Sequence, residues 1–396
     1  MTAAPTLAAP RRPARHGGFH PFALPGIIAR QDFRGHLLFV VTVQIVLLLV
    51  AISIDLARYF DQVTSAAGPG LVDRVALLAW YLGLRIVDMV TRLLPIAVFV
   101  GVLAFELWSI LTRRRAIHWI SGRHPLRVLV PAAAAGLVLV PLQYMLETRW
   151  RPEAVLIQSA AKLGAYGERY VRDRPTKPVW FMSGERLVHA DIRFGPPAEL
   201  VDVDIYHLDD LGRVGEVIRA AQAEPTAERD VWRLRDAIHW GRDPASPSAM
   251  RVTKWPGEEV LTIPLHPLAV TYMGVPAKYV PDADLRTIVA SGTDMLVGAD
   301  HHVWLEVRRA NTLMPLAMAL LAAAVSLLAG ARRPSLPVLI GCVFAGYSIH
   351  VAIRVLIAAG ELRLLTPVAA AWTPIAVALA GVLFAVALAA LRRWRA

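Results

Sequence analysis

From Leu37 to Phe60 the chain reads LLFVVTVQIVLLLVAISIDLARYF, and its first eighteen residues carry no charge. A hydrocarbon core about 30 Å thick takes about 20 helical residues to cross, so this stretch is a candidate span. Working outward from it, five further runs of similar character appear: Val75 to Phe105, Leu126 to Leu146, Thr312 to Gly330, Leu336 to Ala359 and Thr366 to Leu391. The whole chain agrees with this reading. Of its 396 residues 56% are apolar, and the mean hydropathy is +0.48. Ordinary soluble chains reach about 45–50% apolar only when glycine is included. That composition excludes a disordered protein, and the single cysteine, Cys342, excludes a scaffold of internal disulfides.

The formal charge of +11 raises the question of nucleic acid, but membrane topology accounts for it. Arginines crowd alternate connections: Arg11, Arg12, Arg15, Arg30 and Arg34 before the first span; Arg113, Arg114, Arg115, Arg123 and Arg127 between the second and third; Arg332 and Arg333 between the fourth and fifth; and Arg392, Arg393 and Arg395 in the tail. These connections are expected in the cytoplasm. The remaining side holds two short, nearly neutral connections and the long insert, where 149–305 carries 19 basic and 22 acidic residues, a balance of −3. Both termini are therefore expected inside and the insert outside. Residues 1–36, with five prolines and no apolar core, read as a basic cytoplasmic leader and not as a signal peptide. No nucleic-acid partner is expected.

Within the insert the period changes to two. Val179 to Met182, a turn at Ser183-Gly184-Glu185, and Arg186 to Ile192 form a hairpin pattern. Leu200 to Leu208 alternates, turns at Asp209 to Gly212, and resumes at Val214 to Ala221. Further strands are expected at Val231 to Arg235 and Ala237 to Trp240, with weaker ones near Val252 and Val260. The fold class is thus a helical polytopic membrane protein of six spans, with an inserted all-β domain outside: 37–148 holds spans one to three, 149–305 the insert, and 306–396 spans four to six.

Chemistry is sparse. A phosphate-binding loop needs a lysine following a glycine, and none of the four lysines, Lys162, Lys177, Lys254 and Lys278, does so. His189, His207, His239, His266, His301 and His302 lack metal-ligand spacing, and no nucleophile motif appears, so neither a catalytic residue, a metal nor a cofactor is expected. Any ATP-driven work must come from a cytoplasmic partner. The connection 106–127 is the candidate contact, with Ile117 and Trp119 as its apolar elements. Charges inside a bilayer default to functional hypotheses. Threaded as above, Arg58, Arg85, Arg92, Arg308, Arg309 and Arg354 all fall in the outer half of the membrane or at its outer surface, where guanidinium groups suit an anionic lipid headgroup. Local ion pairs are the plainer alternative: Arg85 and Arg92 with Asp88, Arg58 with Asp55, Arg308 with Glu306.

These residues resemble the LptF/LptG permeases of the lipopolysaccharide transport system. Ile27-Ile28-Ala29-Arg30-Gln31-Asp32-Phe33 looks like that family's lead-in to the first helix, and Leu94 to Gly101 like its second-helix signature. Trp180 to His189, Asp202 to Tyr206, Gly212-Arg213 and Trp232-Arg233-Leu234 follow its strand order. The resemblance implies six helices, a periplasmic jellyroll between the third and fourth, and residence in a bacterial inner membrane. Its implied partners are an ABC ATPase dimer, a second related permease and a periplasmic jellyroll bridge protein. The implied activity is extraction of lipopolysaccharide or a related anionic lipid from the outer leaflet. The ATPase contact would then involve Glu106, Arg113, Arg114, Arg115, Ile117, Trp119 and Gly122. Counting back eight residues from Gly122 puts Arg114 where the family usually carries a glutamate. The alternative from another class is a membrane anchor that recruits a periplasmic partner and transports nothing.

Overall fold

The computed structural model describes the chain from Gly26 to Trp394 except for 170–177, 184, 195–197, 210–211, 227, 229, 244–245, 264, 292–297 and 331–335. The leader up to residue 25, Arg332, Arg333 and Arg395 lie outside the described residues.

Helices α1 (Gly26–Ser65), α2 (Leu71–Leu111), α9 (Gly298–Leu328), α10 (Leu336–Glu361) and α11 (Pro367–Trp394) are long. So is the run in which a 3-10 turn (Pro125–Val128), α4 (Leu129–Met145), a π turn (Leu146–Trp150) and α5 (Arg151–Ala160) follow one another. Among the described residues, five helices are long and apolar enough to cross a membrane: Gly26–Ser65, Leu71–Leu111, Pro125–Ala160, His301–Leu328 and Pro367–Leu391. The remaining expected span, Leu336 to Ala359, fifth in chain order, coincides with α10. The leader was expected to run to residue 36, but α1 begins at Gly26. Backbone hydrogen bonding continues through Arg30 and Arg34 because a helix ends where its caps fail, not where its hydropathy falls.

α9 is the hub of the bundle and packs against α2, α4, α10 and α11. Its inner stripe, Met314, Ala317, Met318, Leu321 and Ala322 to Ala324, is buried. Small residues let neighbouring backbones close in, which is how membrane helices gain contact without a hydrophobic drive between them. A Cβ on Gly136 of α4 would stand 2.8 Å from Cα of Leu316, and one on Gly101 of α2 would stand 2.5 Å from Cα of Val40. α1 differs. In its most apolar eighteen residues only 6% are buried, and Leu38, Ile45, Leu49 and Ile54 face outward.

After the short α6 (Gly164–Arg169) the chain forms one antiparallel sheet of β1 (Val179–Ser183), β2 (Arg186–Arg193), β3 (Glu199–Leu208), β4 (Val214–Pro225), β5 (Val231–Asp243) and β6 (Ser246–Thr262). Its order is β1-β2-β3-β4-β5-β6, a meander in which every strand pairs with the next. The ladder Phe181, Val188, Ile205, Ile218 lies on its buried face. Trp232 is wholly buried there, its indole N–H donating to the Leu265 carbonyl at 3.0 Å. Two expected strands, 231–235 and 237–240, are halves of β5. At Asp236, φ +55, the ladder shifts register, so the bulge interrupts the alternation without ending the strand. The weaker strands near Val252 and Val260 are likewise both β6. The chain returns to the bundle through α7 (Pro267–Thr271), a 3-10 turn at Ala277–Tyr279 and α8 (Asp282–Ser291).

Candidate functional site

The sheet-side end of the bundle is built around two buried aspartates. Asp55 of α1 accepts from Tyr81 at 2.7 Å and from Nε of Arg85 at 2.9 Å, with a second contact from Arg85 Nη2. Asp88 of α2, fully buried, accepts from Nε of Arg92 and of Arg151, both at 3.0 Å, and from the Tyr166 hydroxyl at 2.6 Å. Arg151 also reaches Glu147 at 3.3 Å, and Glu147 accepts from Gln143 at 3.3 Å and Asn311 at 3.1 Å. Each buried charge thus has an opposite partner and further hydrogen bonds, the condition under which ions are tolerated away from water.

Beside this network opens a cavity of about 210 Å³ between α2, α4, α9, α10 and the returning strap. One part of its lining is polar: the basic Arg92, Arg151, Lys278 and Arg354, with His350, beside the carboxylates Glu147 and Glu361. Another is apolar, from Pro95, Ile96, Met314, Met318, Ile353 and Ile357. Arg92 stays 38% exposed at its side chain despite its pair with Asp88. Arg354 is exposed and makes no ion pair among the described residues. The space therefore suits an amphiphile carrying negative charge.

Of the six arginines read from the sequence, Arg92 and Arg354 meet here. The other four do not converge. Arg85 is consumed by Asp55 and, at 3.5 Å, by Asp88, the partner expected from the sequence. Arg58 lies over the Tyr59 ring at 5.6 Å and is not the partner of Asp55. Arg309, not Arg308, pairs with Glu306, at 2.5 Å. Arg308 is 2% exposed and donates to the carbonyls of Ala277 and Lys278 at 3.3 Å each and to that of Val280. The sequence reading missed Arg151, Lys278 and His350. His350 precedes Arg354 by four residues on one helix and was findable by that spacing. Arg151 and Lys278 lie beyond the apolar runs and reach the cavity only through tertiary packing.

At the other end the connection 106–127 folds into α3 (Arg114–Ile120), with Gly122 closing the turn at φ +83. Glu106 and Arg115, expected as contact residues, point inward. Arg115 donates to the Ser326 hydroxyl at 2.9 Å and carbonyl at 2.8 Å, and pairs with Glu106, which also holds His36 at 2.7 Å. Arg114 is held by Asp32 and Gln31, each at 3.2 Å, and Arg123 by Asp32 at 2.7 Å. Arg113 enters α3 at φ +61. What α3 leaves open is apolar: Ile117 is 63% exposed and Ile120, which the sequence reading did not single out, is 87% exposed. Trp119 lines a small cleft with Asp32 and Arg123. Among the described residues no group of three or more His, Cys, Asp or Glu side chains is placed to hold a metal.

A bundle of long apolar helices, a separate antiparallel sheet and a charged, amphipathic cavity in the sheet-side end of the bundle define a helical membrane protein with an inserted β domain. The family model described as lipopolysaccharide export system permease LptF/LptG matches residues 33–388, and the chain belongs to that family. It is accordingly a component of a transporter and not itself an enzyme. No curated protein matches it.

Proposed function

We propose that the chain is the permease half of an inner-membrane ABC lipid exporter, which takes lipopolysaccharide or a related anionic lipid from the outer leaflet. Six helices cross the membrane, both termini are cytoplasmic and the sheet is periplasmic, an orientation supported by the arginine distribution. A second related permease completes the membrane unit, and an ATPase dimer works from below against Ile117, Trp119 and Ile120. The sheet, jellyroll-like in role, hands the lipid to a periplasmic bridge protein. The observation that carries this reading is the cavity, where Arg92 and Arg354 face apolar side chains on the sheet side of the bundle.

The test is photo-crosslinking in cells, with a reactive residue at Ile96 or Ile353. Lipopolysaccharide is expected on both, and Arg92→Glu or Arg354→Glu is expected to abolish it. Undiminished crosslinking in both charge-reversed variants would remove the lipid site.

A further inference from the structure

The one lysine that lines the cavity arrives from outside the bundle. Lys278 sits in the 3-10 turn Ala277–Tyr279, on the strap that returns the chain from the sheet to α9. Its ammonium lies 5.0 Å from the centre of the Tyr279 ring and 6.0 Å from that of Trp304, and it makes no ion pair among the described residues. A cation braced on two aromatic faces keeps its charge without a carboxylate to cancel it. Among the cations lining the cavity, Arg92 is bound to Asp88 and Arg151 to Asp88 and Glu147; Lys278 and Arg354 are left to act on a ligand.

What holds the strap is Arg308. Its guanidinium donates to three carbonyls of 277–280 and lies 3.6 Å from Asp282, the first residue of α8. Carbonyls accept from arginine without removing its charge. This side chain therefore serves as a clamp, with Nη2 turned to backbone, Nη1 towards Asp282, and its surface closed to lipid. All three contacts come from one nitrogen, Nη2, which pins the turn in place, while Nη1 faces Asp282 and Nε makes no hydrogen bond among the described residues.

We propose that Arg308 is a positioning residue which, by clamping 277–280, places the Lys278 ammonium at the cavity as the second uncancelled cation, with Arg354, for a phosphate group of the bound amphiphile. The inference rests on reading the cavity as the lipid site.

The test uses the full chain in lipid nanodiscs with three probes: purified lipopolysaccharide, the same material with its phosphates removed, and inorganic phosphate. Lys278→Gln is expected to weaken binding of the phosphorylated probe about ten-fold, as for a lost hydrogen bond to a charged group, and to leave the dephosphorylated probe unchanged. Arg308→Gln is expected to give the same selective loss, and the double variant no more than either alone, since both remove one interaction. Acetylation read by mass spectrometry supplies a second measure, because the chain has only four lysines. Lys278 is expected to label faster in Arg308→Gln, with Lys162 and Lys254 unaltered. Should Arg308→Gln fail to accumulate folded, Arg308→Lys, with fewer donors to the same carbonyls, is expected to show the same change in labelling at smaller size.

Equal loss for both lipid probes, additive losses, or unaltered Lys278 labelling would overturn the clamp. Protection of Lys278 by inorganic phosphate at the concentration where lipopolysaccharide protects it would identify a free-phosphate site and overturn the lipid assignment. A null result for Lys278→Gln, with binding still abolished in Arg92→Glu, breaks this inference and spares the cavity. A wild-type protein indifferent to the phosphates breaks the cavity reading itself.

Discussion

The two ends of the helix bundle treat charge in opposite ways. At the end that carries α3, Arg115, Glu106 and His36 form a closed set, every one of them buried, and the surface beyond it is apolar at Ile117 and Ile120. At the sheet end an equally buried set around Asp55, Asp88 and Glu147 stands beside an open cavity where two cations remain uncancelled. The difference separates two uses of one residue type. Arginine inside the bundle fixes helices; arginine or lysine left without a carboxylate is available to something that arrives.

The comparison is broken most directly at Asp88. Asp88→Ala removes the carboxylate of Arg92 and one of the two that hold Arg151, and breaking a buried ion pair by removing one partner costs about 3–5 kcal/mol. The variant is expected to unfold at markedly lower temperature in detergent, or not to accumulate; a wild-type melting profile would show that the network is solvated. Gly101→Leu comes next. The new side chain meets the backbone of Val40, and overpacking of this kind costs about 1–3 kcal/mol, so the same melting assay is expected to show an intermediate loss.

A smaller effect belongs to the sheet. Burial opposes protonation of His239, but hydrogen bonds to Glu259 at 2.7 Å and Glu216 at 3.2 Å outweigh it and raise its pKa above the ordinary value. Because the folded value lies above the unfolded one, this stabilisation is fully present below about pH 6.5 and is lost as pH rises through the folded pKa. Hydrogen-exchange protection of β5 and β6 in the full chain, corrected for intrinsic rates, is expected to fall across that window in wild type. In Glu259→Gln the fall is expected to shrink, and an unaltered pH dependence would sink the assignment. The smallest effect on stability is expected at the opposite end. Ile117→Ser with Ile120→Ser touches only exposed groups and should move stability by less than about 0.5 kcal/mol, while co-purification of an ATPase partner is lost. Retained co-purification would place that contact elsewhere.

The helices were legible because each apolar run is long enough to have one reading. Their ends were not, since hydrogen bonding continues through polar residues such as Arg30 and through the π turn at Leu146–Trp150. β5 read as two strands because Asp236 interrupts the alternation while the ladder absorbs it as a bulge. In the site, Arg92 with Asp88 followed from four-residue spacing on one helix. Arg85 with Asp55 did not, because it depends on how α1 lies against α2. Arg308 was misread for a similar reason. Its sequence neighbour Glu306 is taken by Arg309 and by the Trp372 indole at 3.1 Å, and its real acceptors are carbonyls some thirty residues upstream.

One further feature concerns α1. It is fastened at Asp32, by Arg114 and Arg123, and again at Asp55, by Arg85 and Tyr81. The twenty-two residues between these moorings span about 35 Å; His36 and Val40 near the first are buried against α2, but none of residues 41–54 is buried. Like a deck resting on two piers, its middle can bow sideways against fluid surroundings without loosening either fastening.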